Sequence, residues 1–324
     1  MTTSTLIRVF VTATVLTFAA CGGGGGGDSP TTGTISVAIT DTPADEGIAE
    51  ANIQFSGLAV QAAGGELHSF TFDPPRNIDL SALQGGLSEE LLRDAPLPPG
   101  RYTWIRLDVN AEENVTDSYV RFDSGEQYPL FIPSAEISGL KLVATFDLPV
   151  NGAADFIIDW DLAMAIHCPS AQVEGDVPLC YLHPALRLLD RAESGSIWGT
   201  VDDELVFIDE TDADRCAPAG GNRVYLFEKA AGVTTLVDDL DLLPDDGRAE
   251  VLATAEVWYD LVDLKYRFKF GFVAPGEYTI AFSCSATADD PSADDFPDIE
   301  GSLFDFVAQS DLTVEESTRT VVGL

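Results

Sequence analysis

Short runs of alternating apolar and polar residues constrain this chain more than any other feature. Thr34 to Asp41 and Arg101 to Val109 are the clearest examples. Alternation with a period of two places the apolar side chains on one face of a β-strand. Turn-forming residues recur about every 8–12 residues, a spacing typical of β-sandwiches and barrels. The pattern therefore predicts a mainly β chain.

The strands fall into two series. We expect the first at 34–41, 51–61, 69–72, 101–109, 118–122, 126–132, 141–148, 154–161 and 182–190, and the second at 196–201, 223–229, 234–236, 248–251, 265–272, 277–284 and 309–322. Between Asp79 and Arg93 the leucines instead follow helical spacing, which predicts one short helix or two helical turns. We predict two β-sandwich domains in series, residues 33–192 and 195–324, the first with one short helical insertion.

The N-terminus has the pattern of an export signal. Arg8 precedes an apolar run, Val9 to Ala20, that is too short to span a bilayer. Leu16 to Cys21 resembles a bacterial lipobox, which implies cleavage after residue 20 and a lipid on Cys21. Gly22 follows the cysteine, where an aspartate would suggest retention in the inner membrane, so we expect the outer membrane. Residues 21–32 are rich in glycine and predict a flexible tether.

Four further cysteines fit an exported chain. Even numbers of cysteines in exported proteins suggest disulfides. We favour the pairs Cys168–Cys180 and Cys216–Cys284, which keep each bond within one predicted domain. A metal site formed by His167, Cys168, Cys180 and His183 is the alternative.

The charge excludes some partners. The chain has 54 acidic and 17 basic residues, a formal net charge of −37. Non-specific binding to nucleic acid requires Lys and Arg to neutralise phosphates, so no nucleic-acid partner is expected. Docking on anionic lipid head groups is disfavoured for the same reason. Adaptation to a salty medium, where ions screen self-repulsion, explains much of this charge without a specific ligand.

One short motif occurs in both predicted domains. Pro99-Gly100-Arg101-Tyr102-Thr103 corresponds to Pro275-Gly276-Glu277-Tyr278-Thr279. In each copy proline and glycine favour a turn, and the tyrosine begins a strand with one polar group on its ring. The repeat supports two sandwiches, whether it reflects duplication or a common way of entering a hairpin.

The first predicted domain resembles a known family. The motifs that carry the resemblance include Asp41-Thr42-Pro43, Ile53 to Leu58, Leu97 to Tyr102, Phe156 to Asp161 and Tyr181 to Arg187. Their order and spacing over residues 33–190 resemble the DUF4382 family of exported bacterial lipoproteins. The resemblance implies a β-rich surface domain and supplies no catalytic residue.

The second predicted domain resembles prealbumin-like sandwiches of the carboxypeptidase-regulatory and Cna-B types. Gly195 to Val201, Arg223 to Phe227 and Phe272 to Tyr278 carry this resemblance. It implies a spacer, stabilising or adhesive module. No Lys/Asn pair for an isopeptide bond can be assigned, and a Cys216–Cys284 disulfide would be another way to staple the module.

Acidic residues suggest calcium as a cofactor, because calcium prefers several carboxylate oxygens. Asp159 and Asp161 share one face of a strand and could combine with Asp41 or Asp79. The densest acidic loop contributes Asp289, Asp290, Asp294 and Asp295, and a second spans 209–214. Neither loop has the EF-hand pattern, and the alternative is solvated carboxylates that cap turns.

Aromatic residues suggest a platform for a sugar ring. Trp104, Trp160 and Trp198 lie in predicted strands, where core packing is more common. Trp258 follows Glu256-Val257 and precedes Tyr259-Asp260, so it is the best candidate for an exposed platform. Carboxylate pairs suit a glycosidase as well, but a chain with so many acids offers such pairs by chance.

These observations favour a non-enzymatic cell-envelope lipoprotein. We expect the lipid to bind the membrane, and loops to bind an extracellular ligand such as a glycan or surface polymer. One alternative is a structural spacer that meets an envelope protein partner. The other is a carboxylate-dependent hydrolase.

The lipobox gives the first testable prediction. Replacing the acylated residue, Cys21→Ser, removes the thiol that would carry the lipid. We expect this variant to lose metabolic palmitate labelling and to leave the membrane fraction. Undiminished labelling of the variant would show that the lipid is attached elsewhere.

Overall fold

A computed structural model describes residues 32–42, 47–132, 140–168, 179–206, 221–229, 237–238, 248–289 and 304–324. Cys21, Cys216 and the predicted signal and tether lie outside these residues. Residues 32–324 belong to one compact unit.

The fold is mainly β, as predicted. Its strands are β1 (Gly33–Thr42), β2 (Ile48–Ala62), β3 (Leu67–Asp79), β4 (Glu89–Leu97), β5 (Gly100–Asn110), β6 (Tyr119–Phe122), β7 (Gln127–Phe131), β8 (Leu140–Leu148), β9 (Ala153–Asp161), β10 (Ile166–His167), β11 (Cys180–Leu182), β12 (Leu186–Asp190), β13 (Gly195–Val201), β14 (Arg223–Glu228), β15 (Val251–Glu256), β16 (Trp258–Asp260), β17 (Lys265–Val273), β18 (Gly276–Ser283), β19 (Ala308–Val314) and β20 (Arg319–Gly323). The described α-helices, Leu162–Ala165 and Asp203–Val206, each span one turn. Two 3₁₀ turns occur at Leu80–Leu83 and Ala286–Ala288.

Strands β1 to β12 form two sheets. One has the order β12-β9-β1-β4, and the other runs β10-β11-β7-β6-β2-β5-β8 with β3 also paired to β2. The parallel pair β1–β9 is central to the first sheet, and its register places Thr40 beside Asp159 and Thr42 beside Asp161. Two segments that are far apart in sequence, Asp41-Thr42 and Phe156 to Asp161, therefore meet at one end of this sheet.

Strands β13 to β20 form two further sheets. Their orders are β16-β17-β13-β20 and β15-β14-β18-β19. Ile197, Val201, Phe268 and Phe270 project from the first of these sheets into a core that also contains Ile280. The strands of each predicted domain thus enter their own sheets, whereas independent folding of the two domains stays a prediction.

An apolar cluster and a close backbone contact are among the interactions that join these halves. Ala163, in the helix Leu162–Ala165, packs in one apolar cluster with Tyr225 and Phe227 of β14. Gly86 and Gly271 also meet through their backbones, because a Cβ added at Gly271 would lie 2.1 Å from the Cα of Gly86. Gly86 has a φ of +83°, a conformation that glycine adopts without steric cost.

The helix predicted between Asp79 and Arg93 is largely wrong. Only Leu80–Leu83 is helical, as a 3₁₀ turn, and Glu89–Leu97 forms strand β4. Strand β4 pairs with β1, and Leu91 within it is completely buried, whereas Leu87, which precedes the strand, is 61% exposed. Pairing with a neighbouring strand has overridden the local helical spacing, as tertiary context commonly does.

Other strand boundaries differ from the prediction. The run 182–190 is divided at 183–185, which include Pro184, and the run 309–322 is divided between β19 and β20. Strand β15 begins at Val251 and continues to Glu256, beyond the predicted 248–251. Strand β16 was not predicted, and 234–236 lies outside the described residues.

The repeated Pro-Gly-x-Tyr-Thr motif has the same structural role in both copies. Gly100 begins β5 and Gly276 begins β18. The hydroxyl of Tyr102 donates to the carbonyl of Pro98 at 2.6 Å, and that of Tyr278 donates to the carbonyl of Ala274 at 2.8 Å. Each tyrosine therefore fastens the start of its strand to the turn before it.

The structure contains the predicted disulfide between Cys168 and Cys180. This bond overturns the alternative metal site, because both sulfur atoms are consumed. Cys284 is also disulfide-bonded, whereas Cys216, its predicted partner, lies outside the described residues. None of the helices within the described ranges has the length and apolar character needed to cross a membrane.

The glycine contact gives the second prediction. In Gly271→Ala the new methyl group would overlap the backbone of Gly86, so one half must shift. We expect a loss of about 1–3 kcal/mol of stability, the usual cost of overpacking, measured as a lower midpoint of thermal unfolding. Gly64→Ala is the control, because an added Cβ there meets nothing within 4 Å. Equal midpoints for the two variants would contradict the contact.

Candidate functional site

A cleft between the two halves is the main candidate site. Its volume is ≈ 450 Å³, within the usual range for small-molecule sites. Gln84, Gly85 and Leu87 of the segment before β4 form one wall, and Trp198, Glu256, Trp258 and Lys269 form the other. We call this space the tryptophan cleft.

Strand alternation turns Trp198 and Lys269 outward. In β13, Ile197 and Val201 are buried, whereas Trp198 between them is partly exposed. In β17, Phe268 and Phe270 are buried on either side of Lys269. Because Trp198 and Lys269 are direct partners in the β13–β17 register, they lie side by side on the outer face of the sheet.

A hairpin presents Trp258. Strand β16 pairs with β17 so that Trp258 lies opposite Arg267, and the indole residue is 39% exposed. The turn is held by Arg267, whose Nε is 2.9 Å from Oδ2 of Asp260 and whose guanidinium also pairs with Asp263. Oδ1 of Asp260 accepts a hydrogen bond from the backbone of Val262 at 2.8 Å. These contacts fix the position of the hairpin that carries the tryptophan.

Two cations contact the ring of Trp198. Nζ of Lys269 is 4.6 Å from the ring centroid, and Cζ of Arg319, on β20, is 3.7 Å from it. Both distances are within the range of cation–π interactions. Burial lowers the pKa of Lys269 below its ordinary value, and the positive charge of Arg319 lowers it further. The two cations therefore repel each other across one aromatic ring.

A second, smaller cavity adjoins the first through Lys269. It has a volume of ≈ 20 Å³, enough for about one water molecule. Thr40, Asp41, Asp159 and Arg187 line it from the first half, and Thr254 lines it with Lys269 from the second.

Asp41, Asp159 and Asp161 form a buried acid cluster beside this small cavity. Each is at most 5% exposed. Arg187 forms an ion pair with Asp159. Oδ1 of Asp41 accepts from the backbone N–H of Leu162 at 3.3 Å, and Oδ1 of Asp161 accepts from that of Met164 at 3.2 Å. The two aspartates thus cap the helix that packs into the second half.

Asp41 and Asp161 bind protons more tightly than free aspartate does. Burial raises the pKa of Asp161 from 3.8 to about 7, and the charge of Asp159 adds to this effect, whereas Arg187 and Arg223 oppose it. Burial likewise raises the pKa of Asp41 well above its ordinary value, with further contributions from Asp161 and Asp159. Oδ2 of Asp41 and Oδ2 of Asp161 have no hydrogen-bond partner among the described residues, consistent with the cost of charging them.

The structure brings together only part of the predicted calcium ligands. Asp159, Asp161 and Asp41 are neighbours, but Asp79 instead accepts hydrogen bonds from Ala51 and Ser81. No group of three or more His, Cys, Asp or Glu within the described ranges has the arrangement of a metal site. The carboxylate of Asp159 instead pairs with Arg187, and Asp41 and Asp161 each accept a hydrogen bond from a backbone N–H.

Of the two predicted acidic loops, only Asp289, at the start of the denser one, is among the described residues. Asp289 is buried, and its Oδ2 accepts a hydrogen bond from the hydroxyl of Tyr225 at 2.6 Å. Asp290, Asp294, Asp295 and the loop 209–214 lie outside the described residues, so calcium binding there stays a prediction.

The tryptophans differ from the prediction at two positions, because Trp104 in β5 and Trp198 in β13 are both partly exposed. Trp160 is fully buried in the core, as expected, and its Nε1 donates to the carbonyl of His183 at 3.2 Å. Trp258 is exposed in the cleft, as expected. Trp198 is not a core residue, because it lies on the polar side of β13. The period-two pattern of Ser196, Trp198 and Thr200 could have shown this, whereas nothing in the sequence places Gln84 or Leu87 opposite it.

The acid cluster gives a prediction about pH. Because the pKa of Asp161 is raised in the folded chain, the folded state binds more protons than the unfolded state between pH 3.8 and about 7. This group therefore increases the free energy of unfolding as pH falls through 7, by at most about 1.4 kcal/mol per pH unit. We expect Asp161→Asn, which retains a capping side chain, to flatten the dependence of the unfolding midpoint on pH between 8 and 5.

The exposed carboxylate variant Asp147→Asn is the matched control. It should leave the slope unchanged. A slope that is the same in Asp161→Asn and wild type would mean that Asp161 titrates no differently in the two states.

Comparisons with solved structures give only remote similarities. The chain is 10% identical to the Bacillus anthracis TIE protein, with 90% of this chain and 34% of that chain covered and a TM-score of 0.19. It is 10% identical to a leucine-rich repeat protein from Bacteroides thetaiotaomicron, with 91% of this chain and 26% of that chain covered and a TM-score of 0.20. It is 9% identical to the fimbrial anchor protein Mfa2 from Porphyromonas gingivalis, with 87% of this chain and 99% of that chain covered and a TM-score of 0.18.

This chain spans about a third or less of the first two proteins. TM-scores this low carry no argument about fold or function. No curated protein matches the chain.

The sequence of the first half gives a family match. Residues 32–176 match the model of a domain of unknown function, DUF4382. The match includes the strands β1 and β9 that build the acid cluster, and it confirms the resemblance over most of the predicted range 33–190. The prealbumin-like resemblance of the second half stays a prediction. By sequence, then, residues 32–176 are similar to the DUF4382 family.

Proposed function

We propose that this protein is a non-enzymatic cell-envelope lipoprotein that binds a glycan in the tryptophan cleft. The observation that carries the proposal is the exposed ring of Trp258 in a cavity of ≈ 450 Å³. The lipobox and the glycine-rich tether support a lipid on Cys21, and Gly22 after the cysteine supports the outer-membrane location.

The lining of the cleft suits a sugar. An aromatic face can cover the apolar C–H side of a pyranose ring, and nearby polar groups can bind its hydroxyls. Gln84 offers an amide donor and acceptor, Glu256 a carboxylate acceptor and Lys269 a donor. One aromatic wall and a few convergent polar groups are the usual combination in a small-molecule site.

A protein partner is the second candidate, and a separate surface favours it. The turn between β16 and β17 exposes Leu261, Val262 and Leu264 by 80%, 89% and 62%. Three neighbouring aliphatic side chains exposed to this degree are typical of interaction surfaces. Leu261→Ser with Val262→Ser should abolish capture of an envelope protein by this surface and leave glycan binding unchanged.

The glycan proposal is tested with Trp258→Ala on a glycan array. Loss of the ring removes the platform, and we expect binding of the recognised glycans to fall by about tenfold or more. Trp104→Ala is the matched control, because Trp104 is a partly exposed strand tryptophan outside the cleft. Absence of any glycan signal with wild type, or equal loss in both variants, would contradict the proposal.

A further inference from the structure

Lys269 and Arg319 differ from several other cations in this acidic protein. Arg187, Arg267 and Lys229 each form an ion pair with a described carboxylate. Within the described ranges, Lys269 and Arg319 have no such pair, and both instead contact the ring of Trp198. Two neighbouring cations that form no ion pair with a described carboxylate are unexpected in a chain with a net charge of −37.

The surroundings hold Lys269 in place although this costs electrostatic energy. Lys269 lies on the outer face of β17. Its ammonium is close to Gly86, since a Cβ added at Gly86 would be 2.9 Å from Nζ. Burial and Arg319 both lower its pKa. An anion in the cleft would relieve both effects, because it would replace lost hydration and offset the repulsion between the cations.

The spacing between platform and cation fits one class of anion. Trp258 lies opposite Arg267, and Lys269 follows two residues later on the same face of β17. Two residues along a strand correspond to roughly 7 Å. In a hexuronic acid the carboxylate is attached directly to the pyranose ring, so a ring stacked on Trp258 can direct its carboxylate toward Lys269.

Glu256 limits the charge of the ligand. This exposed carboxylate lines the same cleft and would repel a multiply charged group such as phosphate. A single carboxylate, facing Lys269 and attached to a ring with several hydroxyls, satisfies both the cation and Glu256, which can accept from a hydroxyl.

We propose that the tryptophan cleft selects acidic glycans, with the ring of a uronic acid on Trp258 and its carboxylate bound by Lys269, while Arg319, which contacts the Trp198 ring, adds positive charge beside the cleft. This inference rests on the proposed function, since it names the ligand class of the same cleft.

The test compares two matched ligands by isothermal titration calorimetry of the purified protein. One is a trimer of galacturonic acid, and the other is its fully methyl-esterified form, which keeps the rings and loses the charge. We expect the acid to bind about tenfold or more tightly than the ester, because a charge-assisted hydrogen bond is present only with the acid. Lys269→Gln and Arg319→Gln should each reduce this preference, and Lys269→Arg should retain it.

Lys141→Gln is the matched control variant. Nζ of Lys141 is 4.7 Å from the ring centroid of Trp104, so this residue repeats the lysine–tryptophan contact outside the cleft. It should leave the preference for the acid unchanged. Circular dichroism establishes that each variant folds, and exposed Arg319 provides a test if Lys269→Gln does not fold.

The outcomes separate the two proposals. If acid and ester bind equally, or if the preference for the acid survives both Gln variants, glycan binding stands and selection of acidic glycans is wrong. If neither trimer binds and the glycan array is also silent, the proposed function and this inference are both wrong. If the array reports only neutral glycans, the inference alone is overturned.

Discussion

The structure depends on a close backbone contact between two glycines. Gly86 and Gly271 approach so closely that neither tolerates a Cβ, and this approach sets Gln84 to Leu87 against the outer face of β13 and β17. The tryptophan cleft and the small polar cavity both lie along this joint. A side chain at either glycine would separate the two walls, so the site exists only because both positions lack one.

Periodicity predicted the strands well because most of them bury one face. Ile197 and Val201, or Phe268 and Phe270, alternate with polar residues as a half-buried strand requires. Periodicity gave the wrong prediction where pairing with a distant strand decides between helix and strand. Leu87, Leu91 and Leu92 have helical spacing, but hydrogen bonding to β1 offers β4 a partner that no local pattern can show.

The candidate site was predictable only in pieces. Trp258 could be chosen from its neighbours in sequence, and Asp41, Asp159 and Asp161 from strand parity and family motifs. Their partners were not accessible in this way, because Arg187 and Lys269 reach them through long-range strand pairing and Gln84 through a contact between the two halves. The cost of burying the acid cluster depends on those same contacts, so the pKa of about 7 at Asp161 has no counterpart in the sequence.

The hairpin that carries Trp258 has a consequence for the entropy of binding. Arg267 ties the turn to Asp260 and Asp263, and Asp260 in turn accepts from the backbone of Val262. A loop ordered only on binding would lose conformational freedom at that moment, and the affinity would fall accordingly. Here that freedom is already lost when the chain folds. The ring of Trp258 is therefore preorganised, and a ligand that used it as a platform would lose little affinity to the ordering of this hairpin.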